Sequence, residues 1–209
     1  MGAARALGTI QPIDPIIHQA LARAVGDTVK SVARSAAQAL IKIAQKDSHV
    51  LDMITHLLKY SGDDFVSTVR ADPAIPQAFV VRLSDPDPMI RKNAASALRE
   101  VTQLLNHSNS NVVQTALWIL REVKQTDLAT LSAIVEVLKR PEELLRRDAL
   151  ETLYSLNVEG PHFNIEGVPL RSIVKDYLND THCSKPIHEV ISMKQIQLIL
   201  DSIRSEAGK

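Results

Sequence analysis

The residues best suited to chemistry lie near the C-terminus, where His182, Cys183 and His188 are spaced as His-Cys-x4-His. Imidazole and thiolate groups are preferred zinc ligands, but zinc sites in proteins usually draw on two closely spaced pairs of them. The sequence offers no second pair at zinc-finger spacing. Ordinary surface residues near a loop are therefore the favoured interpretation, and we predict no metal site.

Other catalytic patterns are also missing from the sequence. The nucleotide-binding motifs GxxxxGK[ST] and GxGxxG do not occur, nor do the hydrolase motifs HExxH and GxSxG. The basic stretch KRPEELLRRD, residues 139–148, alternates with acids, which is typical of a salt-bridged helix face rather than a phosphate site. We expect a protein that is not an enzyme and has no cofactor.

Composition narrows the class of partner. Lys plus Arg and Asp plus Glu both number 24, and the chain has only one Trp, three Tyr and three Phe. A phosphate-binding surface normally needs a basic excess, and base stacking needs aromatic residues, so we expect no nucleic-acid partner. The single cysteine and the lack of a long apolar run predict a soluble, cytoplasmic protein that is not bound to a membrane.

The elements that must position any site are helices. Glycine is absent from residue 63 to residue 159, and apolar residues recur at spacings of three and four. Helix starts are marked by an aspartate that can cap the first turn, followed by proline, or by a capping box. These signals are Asp14-Pro15, Asp72-Pro73, Asp87-Pro88 and the capping box Ser192 to Gln195. The sequence therefore predicts an all-α chain.

One helical pattern recurs along the chain. Four segments share an aliphatic first residue, alanine at the fifth position, leucine at the ninth and an aliphatic residue at the twelfth, with starts 58, 22 and 33 residues apart. They are VARSAAQALIKI (32–43), IRKNAASALREV (90–101), VVQTALWILREV (112–123) and LRRDALETLYSL (145–156). Small residues in mid-helix allow a neighbouring helix to approach closely, so this repetition predicts helices stacked in a row. The interval of 22 residues is too short for a full repeat and predicts two long helices in direct succession.

These segments carry a resemblance to a known superfamily. Residues 65–101 resemble one armadillo repeat, with FVSTVR as its short first helix, IPQAFVVRLS as its second and PMIRKNAASALREVTQLL as its long third. The stretch DPDPMIRKNAASALREV is most similar to the armadillo repeats of the sperm-associated-antigen proteins of the flagellar central apparatus, and its general pattern is equally common in HEAT repeats. The resemblance implies a short, right-handed armadillo/HEAT-like α-solenoid. We predict a lead-in over 1–12, repeats over 13–157, and a linker with C-terminal helices near 168–179 and 187–205 that could cap the array.

The resemblance also implies a binding surface, because armadillo proteins use their third helices to line a groove for an extended partner. In importin-alpha-like grooves each such helix carries a Trp-x-x-x-Asn pair, and here only Trp118 matches, so a nuclear-import adaptor is not expected. The surface could still be acidic at Glu100 and Glu122, unless Arg99, Arg121 or Lys124 pairs with them, and Trp118 could be either a binding anchor or a core residue. The predicted partner-binding set is Gln38, Lys42, Asn93, Ser96, Glu100, Thr115, Trp118 and Glu122.

Three functions follow from the resemblance. The first is a non-enzymatic protein-binding scaffold or assembly subunit, with a cytoskeletal, flagellar or axonemal role as its most specific form. The second is a cargo or chaperone adaptor that holds an extended or basic partner segment in the groove. The third is a metal-dependent HEAT-repeat enzyme of the deoxyhypusine hydroxylase kind. That class binds di-iron through several His-Glu pairs, and the single pair His188-Glu189 argues against it.

Overall fold

The structure is a computed structural model that describes residues 15–44, 47–157, 163–165, 167–179 and 187–207. The chain divides into two compact units, Met1–Val123 and Lys124–Lys209. The helical array predicted over 13–157 is thus distributed over both units, and its boundaries remain a prediction. The predicted lead-in over 1–12 lies outside the described residues.

The first unit is built entirely from helices in its described part. They are α1 (Pro15–Val25), α2 (Lys30–Ala44), α3 (Ser48–Tyr60), α4 (Asp63–Arg70), α5 (Ala74–Leu83), α6 (Pro88–Gln103), a 3-10 turn (Leu104–Asn106) and α7 (Ser110–Val123). The three predicted helices of the armadillo-like segment correspond to α4, α5 and α6. Only the 3-10 turn and a short loop separate α6 from α7, as the interval of 22 residues predicts.

Helix packing arranges this unit in two rows. In one row α3 packs closely against α6, and α1 touches α3. In the other row α2 and α7 both pack against the short helix α4, and α7 also packs against α5. The recurring segments of α2 and α7 therefore belong to one row, whereas that of α6 belongs to the other.

The second unit is also mainly helical. Its elements are α8 (Leu128–Val137), α9 (Glu143–Ser155), a two-residue antiparallel ladder of β1 (Asn164–Ile165) with β2 (Val168–Pro169), α10 (Leu170–Asn179), α11 (Ile187–Val190) and α12 (Met193–Ala207). Helices α8 and α9 pack together, and α12 packs against α8. The predicted C-terminal helices correspond to α10 and to α11 with α12, and the small ladder is the one departure from an all-α chain in the described residues.

Two of the predicted helix starts form as expected, and a third differs. Asp72 accepts a hydrogen bond from the backbone N–H of Ala74 at 3.0 Å, but α5 begins at Ala74, so that Pro73 is the N-cap and not the first helical residue. Asp87 accepts a hydrogen bond from the backbone N–H of Met89 at 2.8 Å and precedes Pro88 in the first turn of α6. Ser192 and Gln195 close the capping box of α12, since the Ser192 N–H donates to Gln195 Oε1 at 2.9 Å and the Gln195 N–H to Ser192 Oγ at 3.4 Å. Such bonds satisfy N–H groups that a helix start leaves without partners. Asp14 lies outside the described residues.

The recurring alanine and leucine positions are core positions. All eight side chains are at most 3% exposed, namely Ala36, Leu40, Ala94, Leu98, Ala116, Leu120, Ala149 and Leu153. Because alanine adds little volume, the facing helix can approach, and the leucine fills the space one turn further on. This burial supports the interpretation that the four segments repeat one helix-packing motif.

An arginine contact also repeats. Arg91 of α6 donates from Nη1 to the carbonyl oxygens of Asp85 at 2.7 Å and Pro86 at 2.8 Å. Arg146 of α9 occupies the equivalent second position of its segment and donates from Nη1 to the Arg140 carbonyl oxygen at 2.8 Å. Both arginines reach back six residues and tie the loop before the helix to its first turn. The pair α8–α9 thus repeats the local structure of the pair α5–α6.

Candidate functional site

The first unit has a groove between α3 and α6, which we call the α3/α6 groove. It encloses about 510 Å³ and opens to solvent. The side chains that line it come from α3, α6 and the turn after α6, and they are Thr55, His56, Lys59, Ser96, Arg99, Glu100, Gln103, Leu104, Asn106 and His107. Most of them are polar, which suits hydrogen bonding to a partner rather than apolar burial alone.

Two interactions define how α3 and α6 run past each other. The His107 Nε2–H donates to the Lys59 carbonyl oxygen at 3.2 Å, and Asp52 interacts electrostatically with Glu100. In each case the residue near α6 is 48 positions beyond its counterpart in α3. The two helices therefore run in the same direction, and equivalent turns face each other along the groove.

Buried side chains and hydrogen bonds hold the floor and one end of the groove in place. Thr55 is 2% exposed and its hydroxyl donates to the Leu51 carbonyl oxygen at 2.9 Å, while Leu104 is 4% exposed. At the end, His107 Nδ1 accepts a hydrogen bond from the backbone N–H of Asn109 at 3.0 Å. This acceptor role places the imidazole proton on Nε2, from which it reaches α3.

Asn109 connects the end of the groove to α4 and α7. Its side-chain oxygen accepts from the backbone N–H of Asn111 at 2.9 Å and so caps α7. Asp63 at the start of α4 accepts from the amide groups of Asn109 at 2.8 Å and Asn111 at 3.1 Å. These two hydrogen bonds lower the pKa of Asp63 below its ordinary value. The turn after α6 is therefore held from three sides.

Two carboxylates, Asp52 of α3 and Glu100 of α6, lie close enough to repel each other, and Glu100 lines the groove. Asp52 is half-buried on α3 and Glu100 is exposed on α6. Burial raises the pKa of Asp52 first, the negative charge of Glu100 raises it further, and His49 opposes both effects. Among the described residues neither carboxylate forms an ion pair with a lysine or arginine. Neither negative charge is therefore neutralised by a salt bridge within the described residues.

The pKa of Asp52 leads to a stability prediction. A carboxyl group with a folded-state pKa above the unfolded value of 3.8 costs stability once it ionises, and the cost vanishes below that value. Asp52→Asn is therefore expected to raise the melting temperature at pH 7, with a gain that shrinks as the pH falls towards 3.8. Thermal unfolding followed by circular dichroism between pH 3 and pH 8 measures the difference.

The variant Asp63→Asn serves as a control, because its melting temperature is expected to shift in the opposite direction. The pKa of Asp63 is lowered, so its ionised form stabilises the fold above 3.8 and that contribution is lost in acid. This variant is expected to melt at a lower temperature than the wild type at pH 7 and to approach it below pH 3.8. If both variants shift in the same direction at pH 7, the interpretation of the two carboxylates is wrong.

The structure brings together part of the predicted partner-binding set. Ser96 and Glu100 line the α3/α6 groove, and Asn93 lies one turn before Ser96 on α6, half-buried. Gln38 lines a different cavity, of about 310 Å³, between α2 and α4. Lys42 is exposed on α2, one turn beyond Gln38.

The three predicted residues of α7 have different environments. Thr115 is 0% exposed and its hydroxyl donates to the Asn111 carbonyl oxygen at 2.9 Å, so it presents no surface to a partner. Trp118 is half-buried. Glu122 forms an ion pair with Arg121 at 3.4 Å, which is the solvated arrangement that the sequence also allowed. The eight predicted positions are thus divided among several surfaces, and their role in binding stays a prediction.

Sequence reasoning missed the α3 wall of the groove. The predicted sites were transferred from the four aligned segments, and α3 contains none of them. One signal was present in SHVLDMITHLLKY, because His49, Asp52 and His56 recur at spacings of three and four on a helix whose apolar residues form the opposite stripe. Such a polar stripe predicts an exposed face, but not which helix lies beside it.

The described residues contain no group of three or more His, Cys, Asp or Glu residues arranged to hold a metal ion. His182, Cys183 and the side chain of His188 lie outside them. The same described part of the chain has no helix that is both long and apolar enough to cross a membrane. The alternating charges of residues 139–148 are largely paired, including Arg140 with Glu142 at 3.3 Å.

Comparison with known proteins gives one family match. The HEAT repeat family matches residues 75–105, which comprise α5 without its first residue, α6 and most of the 3-10 turn. No curated protein matches the chain significantly. The match overlaps residues 65–101, the segment that resembles one armadillo repeat.

Several solved structures are similar over most of the chain. A computationally designed armadillo repeat protein for modular peptide recognition is 15% identical, with 96% of this chain and 92% of that chain covered at a TM-score of 0.44. A second designed armadillo repeat protein is 17% identical, with 97% and 92% covered at a TM-score of 0.41. A third, solved in complex with the peptide (KR)4, is 15% identical, with 90% and 99% covered at a TM-score of 0.34. The all-α helical-repeat fold itself is established by the helix packing described above.

Proposed function

We propose that this protein is a non-enzymatic protein-binding scaffold and that its α3/α6 groove holds an extended segment of a protein partner. The observation that carries the proposal is the groove itself, an open cavity of about 510 Å³ between two helices that run in the same direction. Stacked helical repeats typically use such extended surfaces for binding. Two of the predicted binding positions, Ser96 and Glu100, line the α6 side of this groove.

The spacing of the polar side chains suits an extended chain. Ser96, Glu100 and Gln103 follow each other at about one helical turn, or about 5.4 Å. Side chains on the same face of an extended strand recur at about 6.6 Å, close enough for flexible side chains to follow. Hydroxyl, carboxylate and amide groups in such a row can bond alternate backbone groups of the partner.

The biological setting is the finer part of the proposal. The similarity of residues 85–101 to flagellar central-apparatus repeats favours an assembly subunit in a cytoskeletal or axonemal complex. An adaptor that carries a cargo or client protein would use the same groove. The two differ in their partners, since an assembly subunit binds structural proteins permanently, whereas an adaptor binds exchangeable soluble ones.

Site-specific photo-crosslinking tests the proposal. A photoreactive amino acid replaces Ser96 in the groove or, as a matched control, Gln77, which is also an exposed polar helix residue of the first unit. We expect crosslinks in extracts of the native cell from position 96 and few from position 77, with peptide mapping on the partner showing one continuous segment. Equal crosslinking from both positions, or none from position 96, would contradict a role for this groove.

A further inference from the structure

We infer that the α3/α6 groove selects a segment with one basic side chain, placed between Asp52 and Glu100, and one acidic side chain about three residues away, placed at Lys59. The inference rests on the proposed function and adds the chemistry of the partner. It commits to a protein segment of mixed charge, as opposed to a continuously basic one.

The position of the basic side chain follows from the carboxylate pair. Acids elsewhere on the described helices are commonly neutralised within the chain, as for Glu122 with Arg121 at 3.4 Å and Glu151 with Arg147 at 3.2 Å. Asp52 and Glu100 repel each other instead, and Asp52 is half-buried, where the charge is least well solvated. A guanidinium or ammonium group between them would replace repulsion with two charge-assisted hydrogen bonds.

The position of the acidic side chain follows from Lys59. This lysine is exposed in the same groove, and its ammonium group contacts only the Tyr60 ring among the described side chains, at 5.4 Å from the centroid. Lys59 lies seven residues beyond Asp52, or about 10 Å along the helix axis. An extended chain covers that distance in about three residues, at about 3.3 Å per residue.

The positive charges of Lys59 and Arg99 in the groove argue against a polybasic partner segment. Arg99 lines the groove beside Glu100, and no ion pair holds it among the described residues. A second basic residue three positions from the first would meet Lys59, and like charges brought together in this way cost binding energy. The groove therefore accommodates one cation and disfavours several.

The non-polar part of a long basic side chain also has a place. Leu104 and Thr55, both buried, contribute to the floor of the groove. Lysine and arginine can lay their aliphatic stems on such a surface while the charged end reaches the carboxylates. A small free cation would lack this contact.

Three synthetic peptides test the inference on the full-length protein. The first is acetyl-Ser-Arg-Ser-Ser-Glu-Ser-amide, the second replaces its arginine with the uncharged isostere citrulline, and the third replaces its glutamate with arginine. Nuclear magnetic resonance titration of ¹⁵N-labelled protein gives the affinity and the location of each peptide. We expect the first peptide to bind at least about tenfold more tightly than either of the others, which corresponds to about 1.4 kcal/mol.

A double variant assigns the preference to the carboxylates. In Asp52→Asn/Glu100→Gln, which keeps the size of both side chains, the advantage of arginine over citrulline is expected to disappear. In the control Glu122→Gln it should persist. Equal affinity for arginine and citrulline in the wild type, persistence of the difference in the double variant, or tighter binding of the doubly basic peptide would each overturn the inference.

The same titration separates this inference from the proposed function. If all three peptides perturb the amide signals of α3 and α6 to the same extent, the groove binds segments without the stated charge pattern, and only the inference fails. If none of them perturbs these signals at millimolar concentration while Ser96 still crosslinks to a partner, the inference fails and the scaffold proposal stands. If crosslinking is absent as well, both fail.

Discussion

Replacing Leu153 with alanine is expected to lower the free energy of unfolding by about 2–5 kcal/mol. Leu153 is the ninth residue of the recurring segment in α9 and is 2% exposed. The substitution removes buried methyl groups and leaves a cavity that a closely packed helix pair can close only in part. A loss of this size is a large fraction of the stability of an ordinary domain.

The same helix provides a matched control. Leu144 lies in the first turn of α9 and is 60% exposed, so Leu144→Ala removes the same atoms from a position in contact with water. We expect a change within about 0.5 kcal/mol. Urea unfolding followed by circular dichroism measures both variants. Similar losses for the two leucines would mean that the recurring ninth position is not a core position.

Reversing the charge of Glu100 is expected to have the largest effect on partner binding. Glu100→Lys places a positive charge opposite Asp52 and beside Arg99, where the inferred basic side chain would lie. Removing one attraction and adding one repulsion should weaken the arginine-containing peptide by about 10- to 100-fold, or about 1.4–2.7 kcal/mol. Fold stability should change little, since Glu100 is exposed and the new lysine faces a carboxylate.

Glu122→Lys is the corresponding control, and it separates two hypotheses. The sequence alone allowed Glu100 and Glu122 either to form a common acidic surface or to pair with neighbouring basic residues. In the structure only Glu100 lines the α3/α6 groove, and Glu122 is paired with Arg121. We therefore expect Glu122→Lys to change the affinity less than about threefold, as is usual for an exposed charge outside a contact. Equal weakening by both variants would favour the common acidic surface. Isothermal titration calorimetry with the arginine-containing peptide provides the comparison.

Much of the local structure could be predicted because it depends on short-range effects. The cap of Asp87 on α6 and the Ser192–Gln195 capping box involve residues within three positions of each other. The burial of Ala94 and Leu98 follows from the apolar stripe of a single helix. Interactions of this kind depend on the spacing of residues along one helix, so the amino-acid sequence is sufficient to anticipate them.

Only the α6 side of the candidate site could be predicted from the sequence. Ser96 and Glu100 were expected on a binding surface, but their neighbours were expected on α2 and α7 rather than on α3. Aligned segments look equivalent in sequence, yet α2 and α7 pack against α4 while α6 packs against α3. The row that a helix joins depends on which other helix its apolar stripe packs against, and that helix can lie dozens of residues away in the sequence. Here the short helix α4 lies between α3 and α5 in the chain and changes the order in which the helices pack.

By itself, then, the sequence determined that this protein is a stack of α-helices, where those helices begin and which of their faces are buried, because periodicity and capping act within one or two turns. Only the tertiary structure decided that Asp52 lies near enough to Glu100 to be repelled by it and that His107 bonds to Lys59. The residues of each pair are 48 positions apart and are brought together by the packing of α3 on α6. The charge pattern of the groove, and with it the chemistry of the inferred partner, exists only after that packing has formed.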